Sequence, residues 1–374
     1  MSRRVLIIPD KFKGTLTARQ AAEAIAEGWS KARPDDELEL LPMSDGGDGF
    51  GQILGEILGA EARTVETVDA AHQPCTASWW WLADSKTAII ESANVIGLAM
   101  LPNGEFHPRD LDSQGLAAVL QAASDAGAKR CVIGIGGSAT NDAGTGMARG
   151  LGWQFAGSAP IEHWPDLTRL ESIERPTAPL GIPRLEVAVD VQNPLTGPHG
   201  CSAIYGPQKG LAPDEIEPAD AALLRLAEIS AKDLDTRADT PGDGAAGGLG
   251  FGLRCFAGGI LRPGFDLFAE QVGLIDRLKE FDLVITGEGS IDPSTLMGKG
   301  VGELAARCRE LELPCIGLGG VVSDSNEVAQ AFTTAAGVVN EVADEEASHK
   351  DPTGCLSRLA EKVGTTVWQP GTEN

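Results

Sequence analysis

Residues 131–142, with the sequence CVIGIGGSATND, join a short apolar run to a glycine-rich polar loop. A continuous apolar run of about four to eight residues is typical of a parallel strand that is buried on both faces. The same order of strand and loop occurs in VLIIPD, residues 5–10, and in DLVITGEG, residues 282–289. Strands that alternate with helices predict a doubly wound α/β sheet, which binds its ligands at the carboxyl ends of the strands.

The stretch 61–100 follows a different pattern, because three strand-like runs occur there without a helix between them. These runs are Thr64–Asp69, Thr76–Leu82 and Thr87–Ser92. They predict an antiparallel meander, and therefore a second domain inserted into the first. We expect a discontinuous Rossmann-like domain with a mostly parallel sheet and, inserted in it, a mixed α/β domain. The expected boundaries are 1–60 with 113–155 and 277–374 for the first, and 61–112 with 156–276 for the second.

Composition limits the classes of function. The chain has 374 residues, with 30 Lys and Arg against 54 Asp and Glu, which gives a formal net charge of −24. Nucleic-acid binding needs a basic surface that displaces counterions, and docking on anionic lipid needs the same sign of charge. We therefore expect neither partner. An anionic small molecule stays compatible with this charge, because a local basic pocket can override the global field.

Cysteine content and hydropathy bear on location. The seven cysteines include no CxxC pair, which favours a reduced intracellular protein without a zinc site. The apolar run at residues 5–8 is too short for a signal sequence, and no run approaches the length of a membrane span. We expect a cytoplasmic protein, either a monomer or a homodimer.

The polar loops contain the groups that phosphoryl transfer requires. That reaction needs donors for the phosphates, carboxylates for Mg²⁺ and a positioned acceptor hydroxyl. Gly136, Gly137 and Ser138 can present consecutive amides, with a helix N-terminus expected behind them. Three lysines each neighbour a glycine: Lys13, Lys209 and Lys299. The loop carboxylates are Asp10, Asp45, Asp48, Asp142, Asp190, Glu288 and Asp292.

Simpler roles and other functions compete with this interpretation. A glycine cluster is often only a turn, and Asp142 could be a helix cap, as could Ser113 for a helix from Leu116. Gly134–Ala139 matches the dinucleotide pattern G-x-G-x-x-A, so an oxidoreductase is one alternative. Against this alternative, no acidic residue ends a second strand about 20 residues after Ala139, where binding of the ribose would need one. A non-catalytic sensor of a small hydroxy acid is the other alternative.

Seven segments together carry a family resemblance. The chain resembles the type-1 glycerate kinases in the same motifs and in the same order, over nearly its whole length. The segments are PDKFKGTL at 9–16, PMSDGGDG at 42–49, GIGGSATNDAGTG at 134–146, DVQNPL at 190–195, YGPQKG at 205–210, GAAGGLG at 244–250 and ITGEGSID at 285–292. Departures are few: Ser290 stands where Arg is common, Ser294 where Gln is common, and Tyr205 where Phe is common.

The resemblance implies ATP-dependent phosphorylation of D-glycerate, typically at the 2-hydroxyl, with Mg²⁺. It also implies two α/β domains with the active site in the cleft between them. We assign the roles within this resemblance as follows. The candidate catalytic residues are Asp190, Lys13 and Lys209. The candidate substrate-binding residues are Asp10, Lys13, Asp190, Asn193 and Lys209. The candidate nucleotide-binding residues are Gly136, Gly137, Ser138, Thr140, Asn141, Gly247, Gly248, Thr286 and Gly287. The candidate metal ligands are Asp45, Glu288 and Asp292.

Overall fold

A computed structural model describes residues 2–298 and 300–366 of the chain. The strands are β1 (Arg4–Ile7), β2 (Glu37–Leu40), β3 (Glu61–Val68), β4 (Pro74–Leu82), β5 (Thr87–Glu91), β6 (Arg130–Gly134), β7 (Gln154–Gly157), β8 (Leu170–Glu174), β9 (Arg184–Val189), β10 (Ile260–Pro263), β11 (Leu283–Ile291), β12 (Cys315–Val322) and β13 (Thr334–Gly337). The α-helices are α1 (Ala18–Ala32), α2 (Phe50–Ile57), α3 (Ala93–Ile96), α4 (Leu116–Asp125), α5 (Thr145–Gly150), α6 (Cys201–Lys209), α7 (Ile216–Leu234), α8 (Ala245–Ala257), α9 (Gly264–Val272), α10 (Leu274–Leu278), α11 (Gly300–Glu310), α12 (Asn326–Ala331), α13 (Val338–Glu341), α14 (Glu345–Lys350) and α15 (Pro352–Thr366).

The chain divides into two units. The first unit joins the chain up to Ser44 to the chain from Phe265 onward, and the second unit is Asp45–Gly264. The predicted α/β class, with one discontinuous unit and one inserted unit, is confirmed. The boundaries differ from the expected ones at residues 45–60, 113–155 and 265–276. The reason is strand pairing: β6 bonds to β5 and β9, so the glycine loop after β6 belongs to the inserted unit.

The first unit is built on a parallel sheet of order β13-β12-β11-β1-β2. Its central strands are apolar on both faces. Val5 and Ile7 pack into a cluster with α1 and α15, while Leu6 and Ile8 on the opposite face are also fully buried. The order of strands reverses between β1 and β11. In a doubly wound sheet this reversal opens the crevice in which ligands bind.

Two features of the first unit test the sequence analysis locally. Thr17 and Gln20, three residues apart, fit the capping-box pattern at the start of a helix, and the Thr17 side chain accepts from the Gln20 amide at 3.2 Å where α1 begins. The strand predicted over Asp282–Thr286 is longer than expected, because β11 continues through Gly287–Gly289 and ends at Ile291. A Cβ at Gly287 would lie 2.1 Å from the Leu318 carbonyl oxygen. Glycine at this position therefore lets β11 and β12 stay paired through the motif.

The second unit contains a mixed sheet of order β10-β9-β6-β5-β4-β3. The predicted meander forms β3, β4 and β5, which pair antiparallel, whereas β5, β6, β9 and β10 are parallel. Trp79 and Trp81 lie on one face as an edge-to-face pair with centroids 6.1 Å apart. Trp80 lies on the other face, against Gly51 and Gly55 of α2. All three tryptophans are buried and act as core residues.

A buried carboxylate binds arginines from three adjacent strands of this sheet. Glu186 on β9 is 1% exposed and bonds to Arg130 at 2.5 Å, to Arg262 at 2.6 Å and to Arg184 at 2.8 Å. Burial opposes ionisation, but the hydrogen bonds from the arginines outweigh it and lower the pKa of Glu186 to about 2 from 4.5. The ionised form is therefore the one that stabilises the fold.

We expect Glu186→Gln to lower the free energy of unfolding by about 1–3 kcal/mol at neutral pH, because three partly exposed arginines lose the buried carboxylate to which they donate. A carboxylate whose pKa falls on folding stabilises the folded state at pH values above the pKa of the unfolded chain. The wild type should therefore lose stability as the pH falls from 4.5 towards 2. Urea unfolding at pH 7 and pH 3 measures both effects. Glu228→Gln, which removes an exposed surface pair, is the matched control and should cost under about 1 kcal/mol. Equal losses for the two variants would contradict the prediction.

Other global features are simple. All seven cysteines are free, and Cys131 and Cys315 are buried. Burial raises the pKa of the Cys131 thiol well above its usual range. No helix within 2–298 and 300–366 has both the length and the apolar character that a membrane span requires.

Candidate active site

The carboxyl edge of the first sheet carries the candidate residues of the first unit. Asp10 follows β1, and its amide donates to the Gly287 carbonyl oxygen at 2.9 Å, next to Glu288 on β11. The Thr286 hydroxyl donates to the Ile8 carbonyl oxygen at 2.8 Å and is fully buried. Thr286 therefore ties the two strands together beside the crevice. Asp10, Gly287 and Glu288 lie at the reversal of strand order, where the fold favours a ligand.

A tight loop presents Lys13 at this edge. Phe12 and Leu16 exchange backbone hydrogen bonds of 2.9 and 3.0 Å, and both side chains are buried. The residues between them form the loop, and Lys13 is exposed. A Cβ at Gly289 would lie 3.4 Å from the Lys13 amide nitrogen, so the loop runs beside β11. Burial of Phe12 and Leu16 thus fixes the base of a loop that leaves a cation in solvent.

The carboxyl edge of the second sheet gathers several segments of the second unit. The parallel strands β5, β6, β9 and β10 end there, so the segments that follow them share one edge. Residues 45–49 cover the same edge. The Gly136 amide donates to the Gly46 carbonyl oxygen at 2.9 Å, and Gly46 approaches Ala188 near the end of β9. This edge therefore brings together Asp45, the loop 136–142, Asp190 and Asn193.

The glycine loop does not open a helix directly, which corrects the expectation of a helix N-terminus behind Gly136–Ser138. The next helix, α5, begins only at Thr145, after Gly144 at φ +74°. The dinucleotide fingerprint requires its glycines to lead straight into a helix, with the pyrophosphate on the first turn. Gly134–Ala139 lacks that context, so the observed geometry speaks against the oxidoreductase alternative.

The Asp48 carboxylate lies beside the exposed part of this loop, and buried Glu91 binds the segment that follows Asp48. Gly137 has φ +78°, and a Cβ there would lie 1.9 Å from the Asp48 carboxylate oxygen. Glu91, the last residue of β5, accepts from the Gly49 and Gly51 amides at 2.7 and 3.1 Å. Burial raises the pKa of Glu91 although these amides oppose the rise, and the charge of Asp48 adds to it. A phosphate placed at Gly137 would meet this negative charge unless a cation lay between them.

Asp142 holds the far end of the loop from within the core. Its carboxylate accepts from the Gly146 amide of α5 at 2.8 Å and from the Ser113 hydroxyl at 2.7 Å. Burial raises the pKa of Asp142, and the charge of Asp112 raises it further, while these hydrogen bonds oppose the shift. The N-cap residue of α5 is Gly144, so Asp142 binds the first turn of α5 from two positions before the N-cap rather than as the N-cap residue. The predicted cap by Ser113 is wrong, since no side chain caps α4 and the Ser113 hydroxyl serves Asp142 instead.

The candidates Thr140 and Asn141 are fully buried, so their side chains lie beneath the loop surface. The Asn141 amide nitrogen donates to the Ser202 hydroxyl of α6 at 3.0 Å. Gly247 packs against Thr140: at φ +69°, a Cβ would lie 1.9 Å from the Thr140 carbonyl oxygen. Gly248 similarly approaches Ala143. The close packing of α8 on the loop is therefore a structural reason for both glycines.

Lys209, at the last turn of α6, is buried below the same loop. Its ammonium group donates to the Thr140 carbonyl oxygen at 2.7 Å, and 7% of the residue is exposed. Burial lowers the pKa of Lys209 to about 8, while the charges of Cys201 and Asp142 oppose this change. The lysine is thus a desolvated cation fixed on the backbone of the glycine loop.

The segment after β9 contains the candidates Asp190 and Asn193. Asp190 is exposed. The Asn193 side chain accepts from the Tyr205 hydroxyl at 2.7 Å and donates to the His199 carbonyl oxygen at 2.9 Å. Burial raises the pKa of Tyr205, and the nearby charge of Asp190 adds to the rise. Asp190, Asn193 and Tyr205 therefore form one polar group.

The candidate metal ligands are spread over the chain. Asp45 is half-buried, and the Asp292 carboxylate accepts from the Ser294 amide at 2.7 Å in the turn after β11. In the part of the chain that the structure describes, no three His, Cys, Asp or Glu side chains converge as a metal-binding group. The roles of Asp45, Glu288 and Asp292 stay predictions. Lys299 lies outside the described residues.

Sequence reasoning missed three residues of this edge: Glu91, Ser202 and Tyr205. Glu91 is the second-last residue of the strand predicted over Thr87–Ser92, and its place near the carboxyl end of that strand could have located it at this edge. Tyr205 is the single tyrosine of the chain. Ser202 carries no signal in the sequence, because only the packing of α6 brings it to Asn141.

Comparison with known proteins gives a consistent result. The model of the glycerate kinase family matches residues 5–368. A protein of Bacillus subtilis (strain 168) named glycerate kinase is 39% identical over 336 residues, which cover 87% of both chains. A protein of Escherichia coli (strain K12) named glycerate 2-kinase is 35% identical over 331 residues, which cover 86% of both.

A solved structure agrees with these relatives. The crystal structure of a protein assigned as glycerate kinase 2 from Salmonella typhimurium LT2 matches with a TM-score of 0.81 at 34% identity, over 98% of both chains. Fold, motif order and relatives all point the same way, and the chain belongs to the glycerate kinase family.

Proposed function

We propose that the protein is an ATP-dependent kinase that phosphorylates D-glycerate at the 2-hydroxyl, giving 2-phospho-D-glycerate and ADP. One structural observation carries the proposal: Asp190 and Asn193 share a sheet edge with the glycine loop, whose backbone is held by a buried lysine. An acceptor site beside a phosphate loop is the arrangement that phosphoryl transfer requires. The names of the Bacillus and Escherichia relatives support the substrate and, in the second case, the 2-hydroxyl.

The proposed reaction moves one phosphoryl group. The substrate 2-hydroxyl oxygen forms a bond to the γ-phosphorus of ATP, and the bond from that phosphorus to the bridging oxygen breaks to release ADP. Asp190 orients the hydroxyl and takes its proton. Asn193 and Asp10 bind the substrate, and Lys13 supplies an exposed positive charge for the carboxylate or the transferring phosphate. Positioning of the reactants and electrostatic stabilisation account for most of the catalysis when the transition state is loose.

The glycine loop and its supports are proposed to bind the nucleotide. Gly137 is exposed, whereas Thr140 and Asn141 are buried, so the backbone of 136–138 is the part that can contact a phosphate. Lys209, Gly247 and Gly248 would then act by holding the loop in shape. Thr286 and Gly287 would serve in the same way at the edge of the first sheet.

Mg²⁺ is proposed as the metal of the ATP complex. The carboxylates fit it, because hard oxygen ligands suit Mg²⁺, which is often held by only one or two carboxylates together with substrate phosphates. Asp45, Glu288 and Asp292 are the proposed ligands, and the acidic surroundings of Gly137 add Asp48. When bound, the ion neutralises charge on the β- and γ-phosphate oxygens. We propose a cytoplasmic location and a monomer or homodimer.

The experiment is ATP consumption with D-glycerate and Mg²⁺, followed by ³¹P NMR of the product. The proposal predicts a phosphomonoester whose phosphorus couples to a single carbon-bound proton. Coupling to two protons would identify the 3-phosphate and contradict the 2-hydroxyl. A protein that binds D-glycerate but forms no ester would be a sensor. Quenching of tryptophan fluorescence by NADH without ATP consumption would favour the oxidoreductase instead.

A further inference from the structure

The Asn193 side chain is held by two partners of unlike chemistry. The His199 carbonyl oxygen can only accept a hydrogen bond, so the atom that faces it at 2.9 Å must be the amide nitrogen. The amide oxygen then faces Tyr205, and the phenol must be the donor in the 2.7 Å contact. The two contacts together determine which way the amide points.

This orientation decides what Asn193 offers to a ligand. A side-chain amide has two N–H donors and one oxygen with two lone pairs. The His199 carbonyl uses one donor, and the Tyr205 hydroxyl uses one lone pair. The backbone is fixed as well, because the Asn193 carbonyl oxygen accepts from the Gly244 amide at 2.9 Å. What is left includes an N–H group in a fixed direction, which suits a carboxylate or another acceptor.

Helix α6 makes this arrangement rigid. Its first turn is tied to the same segment by the Cys201 amide, which donates to the Leu195 carbonyl oxygen at 3.2 Å. Its last turn carries Lys209, which is fixed on Thr140 of the glycine loop. Tyr205 lies between them and is half-buried. A hydroxyl held on an anchored helix loses little rotational freedom when it binds Asn193.

We propose that Tyr205 is a positioning residue for substrate recognition: its hydroxyl fixes the Asn193 amide so that an N–H group faces the carboxylate of the bound hydroxy acid. The proposal rests on the proposed function for the identity of that acid. Tyr205 itself does not contact the reacting atoms. Without the hydroxyl, the amide oxygen loses its donor and the amide is held by the His199 carbonyl oxygen alone, so the direction of the remaining N–H group is less well fixed.

The test is Tyr205→Phe, which removes only the hydroxyl. A neutral hydrogen bond contributes about 1 kcal/mol, which corresponds to about a fivefold change. We expect the KM for D-glycerate to rise about fivefold, while kcat and the KM for ATP change less than twofold. A purely structural role would move both KM values together. Thr67→Val is the matched control, because it deletes a hydroxyl that donates to the Gly115 carbonyl oxygen at 2.7 Å on the outer strand β3.

A double-mutant cycle with Asn193→Ala makes the test specific. If Tyr205 acts through Asn193, then Tyr205→Phe should change the KM for D-glycerate less than twofold in the Asn193→Ala background. The same fivefold rise in both backgrounds would overturn the proposal, as would an unchanged KM in the single variant. Calorimetric titration with D-glycerate gives a readout that needs no turnover. Binding without product would refute the proposed function alone, whereas weaker binding by Tyr205→Phe would still support the inference. Absence of D-glycerate binding by the wild type would refute both.

Discussion

Asp190→Asn will reduce turnover of D-glycerate by about 10²–10⁴-fold, the range expected when a group that accepts a proton in the transition state is lost. Asparagine keeps the size and polarity of the side chain but cannot take the hydroxyl proton. Because Asp190 is exposed and follows β9, the fold should tolerate the change. Initial rates at saturating ATP and D-glycerate measure the loss.

The control for this prediction is Asp214→Asn, which removes an equally exposed carboxylate of the second unit. It should leave the rate within about twofold. The KM for ATP should stay nearly constant in Asp190→Asn, since the glycine loop is unchanged. A rate close to that of the wild type would remove Asp190 from the mechanism and leave positioning alone to explain the catalysis.

Lys209→Met will lower kcat/KM by about 10²-fold, because it removes the ammonium group that holds the Thr140 carbonyl oxygen and with it the shape of the glycine loop. The loss of the donor to the Thr140 carbonyl oxygen costs about 1–3 kcal/mol of stability. Relief from burying an ammonium group offsets part of that cost, so the variant should stay folded. Lys129→Met, at an exposed position, is the control and should be silent in both activity and thermal unfolding.

The pH profile of the wild type separates charge from packing at Lys209. Because its folded pKa is about 8, the ammonium form is lost as the pH rises through that value, and the rate should fall with it. Asp142 and Cys201 are the groups that oppose this loss of charge. Lys209→Arg should move the decline to higher pH, since arginine keeps its charge. A profile that is flat from pH 7 to 9 in the wild type would contradict the assignment.

These two residues show why a sequence motif does not state a mechanism. Both lie in motifs that resemble those of one family, and both were predicted to contact substrate. The structure leaves Asp190 exposed and buries Lys209 under Thr140. Motif resemblance thus selected both an exposed residue that can contact the substrate and a buried residue that holds the loop. Burial distinguishes them, and burial depends on how α6 packs.

The sequence by itself determined the fold class, the inserted organisation and the positions of the polar loops. The reason is local. Apolar runs such as residues 5–8 and 131–135 are removed from water as buried strands. Thr17 and Gln20 cap helix α1 within a single turn. The meander of β3, β4 and β5 is equally local, because neighbouring strands pair through short turns. Each of these features needs only nearby residues.

Only the tertiary structure decided which sheet each strand joins and what each loop residue contacts. The sequence of a parallel strand such as β6 does not indicate which strands lie beside it. Only the pairing of β6 with β5 and β9 assigns the glycine loop to the second unit. The contacts of Tyr205 with Asn193 and of Lys209 with Thr140 join residues 12 and 69 positions apart. Contacts between distant positions leave no periodic trace in a sequence, because they depend on the packing of whole elements, which the structure alone supplies.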